Sequence, residues 1–191
     1  PFHWEEGARL PILGDEVVLA AAPGRADITL DGPTLLIGQA PPRRVKRRTG
    51  VVGTDTRALD HLDAAQSHTG DWRARVLQWL REQALALFAE RAGCFAAALE
   101  VAMPALKLSN AATRWGSCIR HGQGGSARVL LHWKLYLMPP ALIDYVVAHE
   151  LAHLRELNHS ARFWAEVARV YPDPAAARRE LHRRGRTLPL L

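Results

Sequence analysis

The chain has 191 residues, 48% hydrophobic and 23% charged, a globular composition long enough for one domain, or one with a small appendage, to bury a real core. No apolar run approaches the roughly eighteen residues that a membrane span needs, and Cys94 and Cys118 stand far apart in no CxxC pattern, which argues against a disulfide framework or a thiolate metal site and for a reducing, cytoplasmic compartment. The net charge of +6 gathers in two arginine clusters, "PPRRVKRRTG" and "ARRELHRRGR", which admit nucleic acid, an anionic membrane or an acidic substrate beside the plainer reading of a solvated basic surface.

The chain opens on Pro1 without an initiator methionine or a secretory leader, which reads as a processed start or a missing segment. From Leu10 to Gln39 the text is strand-like, with Asp31-Gly32 supplying hairpin turn chemistry, so residues 1–40 read as a small β-rich portion. Residues 41–70 mix Pro, Arg, Gly, Thr and Asp without a sustained period and read as a linker or loop. From Asp71 the residues Trp72, Val76, Trp79, Leu80, Gln83 and Leu87 recur at three- and four-residue intervals, which predicts an amphipathic helix to about Ala92 with Gly93 at its end.

Beyond Pro104, "ALKLSN", "ATRWGSC" and "ARVLLHWKLYL" read as successive antiparallel strands of one small sheet, the second bent or turned at its glycine. Pro139 and Pro140 stop the last of them and suit a first helical turn. A helix is therefore expected from Pro140 to Leu157, with Asn158 as a left-handed stop. Ser160 caps the next helix, and a last one follows Pro174.

Three histidines and a glutamate fall in "HELAHLRELNH", residues 149–159. Residues four apart on a helix share a face, so His149 and His153 can offer two imidazole nitrogens to one ion. Glu150, about 100 degrees around the axis, reaches a water on that ion without replacing it. A catalytic zinc needs three protein ligands and an open position. His159 lies too far along for one straight helix, but a turn near Asn158 folds it back as the third ligand, with Glu166 as the fallback. Buried histidines need partners or a metal, and Val146, Val147, Ala148, Leu151, Ala152 and Leu154 mark this helix as buried.

"RWGSC" at 114–118, a following strand that ends in proline, "IDYVVAHELAHL" at 143–154 and "NHSARFW" at 158–164 resemble the YgjP-like metallopeptidases, relatives of the SprT-like and minigluzincin zinc proteins. The resemblance covers roughly residues 71–188, which makes 71–191 the expected metallopeptidase domain. It implies an α+β core of zincin type: a small antiparallel sheet on helices, with His149, Glu150 and His153 on one helix and His159 as third ligand. Two departures are visible. The N-terminal β portion is abbreviated relative to the family, and "LHW" at 131–133 stands where relatives commonly read "LNW", leaving His132 an oddity rather than a ligand.

In such a hydrolase, Glu150 activates the zinc-bound water that attacks the scissile bond. Arg114 is a candidate for holding a substrate carboxylate or phosphate or steadying an oxyanion, with a structural ion pair as its plain alternative. Tyr145, one turn before His149, is a second candidate donor. Asp144, Glu156 and Glu166 are candidate acceptors for the ligands' free N–H groups. Protein or peptide is the leading substrate class. The alternatives are a nucleoside triphosphate held by arginines and metal, and a DNA-associated protease or nucleic-acid-binding module.

Overall fold

The computed structural model describes residues 1–39, 60–120 and 126–191. The basic run "PPRRVKRRTG", the glycine-rich stretch at 121–125 and most of the expected linker lie outside the described residues. The chain divides into two compact units: Pro1–Leu10, Glu16–Trp79 and Leu191 form one, and Pro11–Asp15 with Leu80–Leu190 form the other.

A four-stranded sheet comprises β1 (Arg9–Ile12), β2 (Asp15–Pro23), β3 (Ile28–Asp31) and β4 (Thr34–Gln39), ordered β1-β2-β4-β3, and all of it but Pro11–Ile12 and Asp15 belongs to the first unit. The turn at Gly32-Pro33 joins β3 to β4 in an antiparallel hairpin with Asp31 opposite Thr34, as Asp31-Gly32 led us to expect. β4 runs parallel to β2, Val18 opposite Thr34. Burial alternates along β2, with Val17 and Leu19 turned inward and their neighbours half-buried or exposed, the period of a one-faced strand. The Arg75 guanidinium ties the unit together by donating to the carbonyls of Ala26 and Gly38.

A second turn was not legible in "ILGDEVVLAA". β1 and β2 are separated by Leu13-Gly14, both at positive φ, the backbone that a two-residue hairpin requires. Leu13 carries a side chain there, which is unusual outside glycine and asparagine. The tip is held within the second unit: the Leu13 N–H donates to the Tyr136 carbonyl. A Cβ on Gly14 would lie 2.7 Å from Pro139 Cγ, so only glycine fits.

The long helix α1 runs Asp60–Leu99, starting ahead of the expected Asp71 and continuing through Gly93. Its buried stripe is Trp72, Val76, Leu80, Ala84, Phe88, Ala92, Phe95, Ala96 and Leu99. The last three extend the apolar face past Gly93, and their burial outweighs the cost of about 1 kcal/mol for a helical glycine. The helix ends instead at Glu100, whose φ of 57° is left-handed.

The second unit holds the rest. A three-stranded sheet comprises β5 (Ala105–Ser109), β6 (Gly116–Arg120) and β7 (Ala127–His132) in the order β5-β7-β6. The α+β class is as expected, but the strand sense differs in one place: β5 is parallel to β7, with Ser109 opposite His132, while β6 is antiparallel to β7. The chain crosses from one side of β7 to the other between β5 and β6, which makes β7 central and leaves β6 an edge. The run read as a continuing strand breaks at His132 into a 3₁₀ helix, Trp133–Leu137. That resolves the oddity of His132: its Nδ1 accepts the Lys134 N–H at 3.1 Å, capping the turn.

Three helices follow: α2 (Pro140–Ala152), α3 (Ala161–Val170) and α4 (Pro174–Gly185). α2 is packed by α3, α4, β6 and β7 and is buried nearly all round, as its apolar sequence requires. Ser160 and Asp173 cap α3 and α4 through the N–H groups of Phe163 and Ala176, which satisfies donors a helix start leaves orphaned. Among the described residues no helix is long and apolar enough to cross a membrane.

Candidate metal centre

His149 and Glu150 occupy the last full turn of α2, and His153 is its C-cap with helical dihedrals. The helix ends at Ala152, short of the expected Leu157. The reason is local: the N–H groups of Leu154, Arg155 and Glu156 bond back to the carbonyls of Leu151 and Ala152, which tightens the last turn and swings the chain around. No left-handed residue is used, since Asn158 is absent from the positive-φ residues, and the turn assigned to it is made three to five positions earlier.

This early turn returns His159 to the helix. Its Nε2 lies 3.0 Å from His149 Nε2, and one ligand nitrogen from each of His149, His153 and His159 lies within 4.8 Å of the others. Bond lengths of about 2.0–2.1 Å to a tetrahedral zinc put two ligand nitrogens about 3.3 Å apart, so the set is already near the spacing one ion needs. Two imidazole nitrogens facing each other at 3.0 Å repel unless a proton or a cation lies between them. His153 Nδ1 meets the Glu156 carbonyl oxygen at 3.1 Å, so in the neutral ring this nitrogen donates and Nε2 is left with its lone pair.

Burial favours the neutral ring at His149 and at His153. Burial pushes His149 down to about 3, helped by His153, His159 and Arg178, and burial also lowers His153. His149 Nδ1 is buried without a hydrogen-bond partner among the described residues, which a ring ligating through Nε2 would aim at an acceptor. The donor set therefore fits a borderline-soft divalent ion such as zinc.

One residue packs against all three histidines. Phe163, fully buried at the start of α3, has its ring centroid 4.9, 4.5 and 4.7 Å from those of His149, His153 and His159. Trp164 backs His149 and His159 at 5.8 and 5.9 Å. Phe163→Ala is expected to cost about 3–5 kcal/mol of stability, read by denaturant unfolding, and to weaken metal affinity, since it removes the platform that aligns the rings.

Glu150 is 6% exposed. Burial raises its carboxyl to about 7, opposed by the charge of Arg114. Its position depends on Gly116 at the start of β6, where an added Cβ would sit 2.5 Å from Glu150 Oε1 and 2.6 Å from Cγ. That contact explains the glycine of "RWGSC", which reads as backbone geometry in the sequence without revealing what presses on it. Trp115 next to it is pinned by Gly185, whose Cβ would meet the indole at 2.8 Å.

A cleft of about 690 Å³ opens on this centre, lined by Arg114, Gly116, Tyr145, His149, Glu150 and Arg178 among others. Arg114 and Tyr145 are thus brought to the site. Tyr145 is buried, its ring 5.9 Å from that of His149 and 5.7 Å from that of Tyr171, and burial raises its hydroxyl. The carboxylates expected to serve the histidines are engaged elsewhere. Asp144 forms a two-pronged pair with Arg91 at 2.6 and 2.5 Å. Glu166 pairs with Arg155 and Arg169 at 3.1 and 3.2 Å, so it does not stand in as a ligand. Glu156 acts on His153 through its backbone oxygen instead of its side chain. Phe163 stands in "NHSARFW" and Arg178 in the basic run "ARRELHRRGR", but neither stretch tells that they meet at this site, and only the folded chain brings them here.

Comparison with known proteins gives three findings. The model of the YgjP-like family, metallopeptidase domain, matches residues 2–184. No curated protein matches. Among solved structures, the chain is similar to the metallopeptidase zymogen abylysin of Pyrococcus abyssi, at 21% identity and a TM-score of 0.43, over 53% of this chain and 94% of that one.

Proposed function

Because the chain belongs to the YgjP-like metallopeptidase family, we propose that it is a zinc-dependent peptidase in which His149, His153 and His159 hold the metal and Glu150 moves the proton. One observation carries the reading: three ring nitrogens converge within 4.8 Å beside a cleft that a buried carboxylate also lines. Three protein ligands would be the number that catalytic rather than structural zinc takes. Zinc bound there supplies a Lewis acid that acidifies a water and polarises the bond to be cut.

The chain's own residues supply the rest. Glu150 takes a proton from the attacking water and delivers it to the leaving amine. Arg114, on the cleft wall, steadies negative charge on the substrate oxygen, and Tyr145 is a second donor for it. The Glu156 carbonyl keeps His153 in the ligating tautomer. A protein or peptide substrate is favoured by β6, an edge strand among the described residues that begins against Glu150: the free side of an edge suits an extended peptide.

Arg114 supports a second reading, hydrolysis of a phosphate anhydride such as a nucleoside triphosphate, because a guanidinium binds phosphate as well as carboxylate. Metal analysis with activity separates the readings. The purified protein is expected to hold about one zinc per chain, lost in His149→Ala and His153→Ala, and to cleave unfolded protein or peptides. Wild-type protein without zinc overturns the proposal, and turnover of nucleotides alone transfers it to the second reading.

A further inference from the structure

Arg178 sits on the exposed side of α4 and lines the metal cleft together with Tyr145, His149 and Glu150. Beyond it lies a second, larger hollow of about 960 Å³, bordered by Trp115, Trp164, Ala168, Leu181, Arg179 and His182 among others. Trp115, Trp164, Arg178 and Leu181 line both. The two hollows therefore adjoin along these side chains, and Arg178 stands between them.

Charge on the last two helices is divided by location. Away from the groove, Arg155 and Arg169 are matched by Glu166, and Arg183 and Arg184 by Glu180. Arg114, which borders it, faces the Glu150 carboxylate, whereas Arg178 and Arg179 enter none of the salt bridges among the described residues. Cations without an ion-pair partner beside a concave site, here Arg178 and Arg179, concentrate anions there, and a guanidinium matches a carboxylate in two-pronged geometry. The indole rings, Ala168 and Leu181 make the remaining wall apolar, which suits the non-polar part of a chain that carries such a group.

We propose that Arg178 sets specificity by holding a carboxylate of the peptide substrate near the scissile bond, while the groove beyond it takes the adjoining apolar side chain; this rests on the peptidase reading above. The carboxylate belongs to an acidic side chain or to the substrate's C-terminus. Paired peptides tell these sources apart, one set exchanging Glu for Gln at each position around the cleaved bond, the other comparing free with amidated C-termini.

With the zinc-loaded full chain, the anionic member of at least one pair is expected to have a kcat/KM about tenfold to a hundredfold higher, the scale of a charge-assisted hydrogen bond, with the difference in KM. Arg178→Gln brings that ratio close to one, Arg178→Lys keeps part of it, and Arg183→Gln, outside the groove, keeps all of it. Calorimetric binding of the same pairs to Glu150→Gln reports the same discrimination without turnover. Active cleavage with a wild-type ratio near one, or a ratio unmoved by Arg178→Gln, overturns this inference and leaves the peptidase reading standing. Failure to cleave any peptide overturns both. An anionic peptide displaced more readily by a single-stranded oligonucleotide than by a second acidic peptide assigns the groove to nucleic acid and also overturns it.

Discussion

Glu150→Gln is expected to lower peptide turnover by about 10² to 10⁴-fold, the range that a positioned general base contributes, while zinc content stays at the wild-type level. The amide keeps the shape that fits against Gly116 and lies outside the ligand set, so neither the fold nor the metal should be disturbed. What it loses is the capacity to accept a proton. Steady-state kinetics beside metal analysis check this. Full activity in the variant would remove Glu150 from the mechanism, and loss of zinc would mean that the carboxylate is needed to hold the metal.

Gly116→Ala is expected to reach a similar endpoint by steric means. The added methyl would lie 2.5 Å from Glu150 Oε1, so the carboxylate or the strand must retreat by about 1 Å before ordinary contact is restored, a displacement that costs about 10²-fold in rate at a reacting centre. Because the loss acts through Glu150, it should shrink towards nothing in the Gly116→Ala, Glu150→Gln double variant, the non-additivity of residues in contact. A Gly116→Ala enzyme with wild-type kcat, or full additivity in the double variant, would show that the strand does not position the base.

The parts of this site that could be read from sequence are those fixed by local rules. Helical spacing puts His149 and His153 together, the prolines start α2, and Ser160 caps α3. The return of the third histidine to the other two was legible, but its route was not: the turn is made by backbone hydrogen bonds after Ala152, which carry no side-chain signature, rather than by Asn158. The same holds for the acceptor on His153, a carbonyl that any residue at 156 would provide. Asp144 and Glu166 have the chemistry of ligand partners, yet arginines claim them: Arg91 and Arg155 come from other parts of the chain through tertiary packing, while Arg169 is three residues along the same helix as Glu166. The expected all-antiparallel sheet failed at β5 for a related reason, since strand sense follows from which side of β7 the chain returns on. α1 outran Gly93 because burial of Phe95, Ala96 and Leu99 prevailed over local propensity.

The hairpin tip at Leu13-Gly14 bears on how such a protein can be inherited. Pro11–Asp15 and Leu80–Leu190 belong to one compact unit, joined by the bond from Leu13 to Tyr136 and by the fit of Gly14 on Pro139, the residue just before the histidine-bearing helix. That unit is discontinuous along the gene. A recombination point anywhere between Asp15 and Leu80 would take the tip from one parent and the histidines from the other, and any parent with a side chain at position 14 would bring a clash with it. The histidine-bearing half is thus a poor cassette, and descent with its N-terminal strands attached is the arrangement the packing favours.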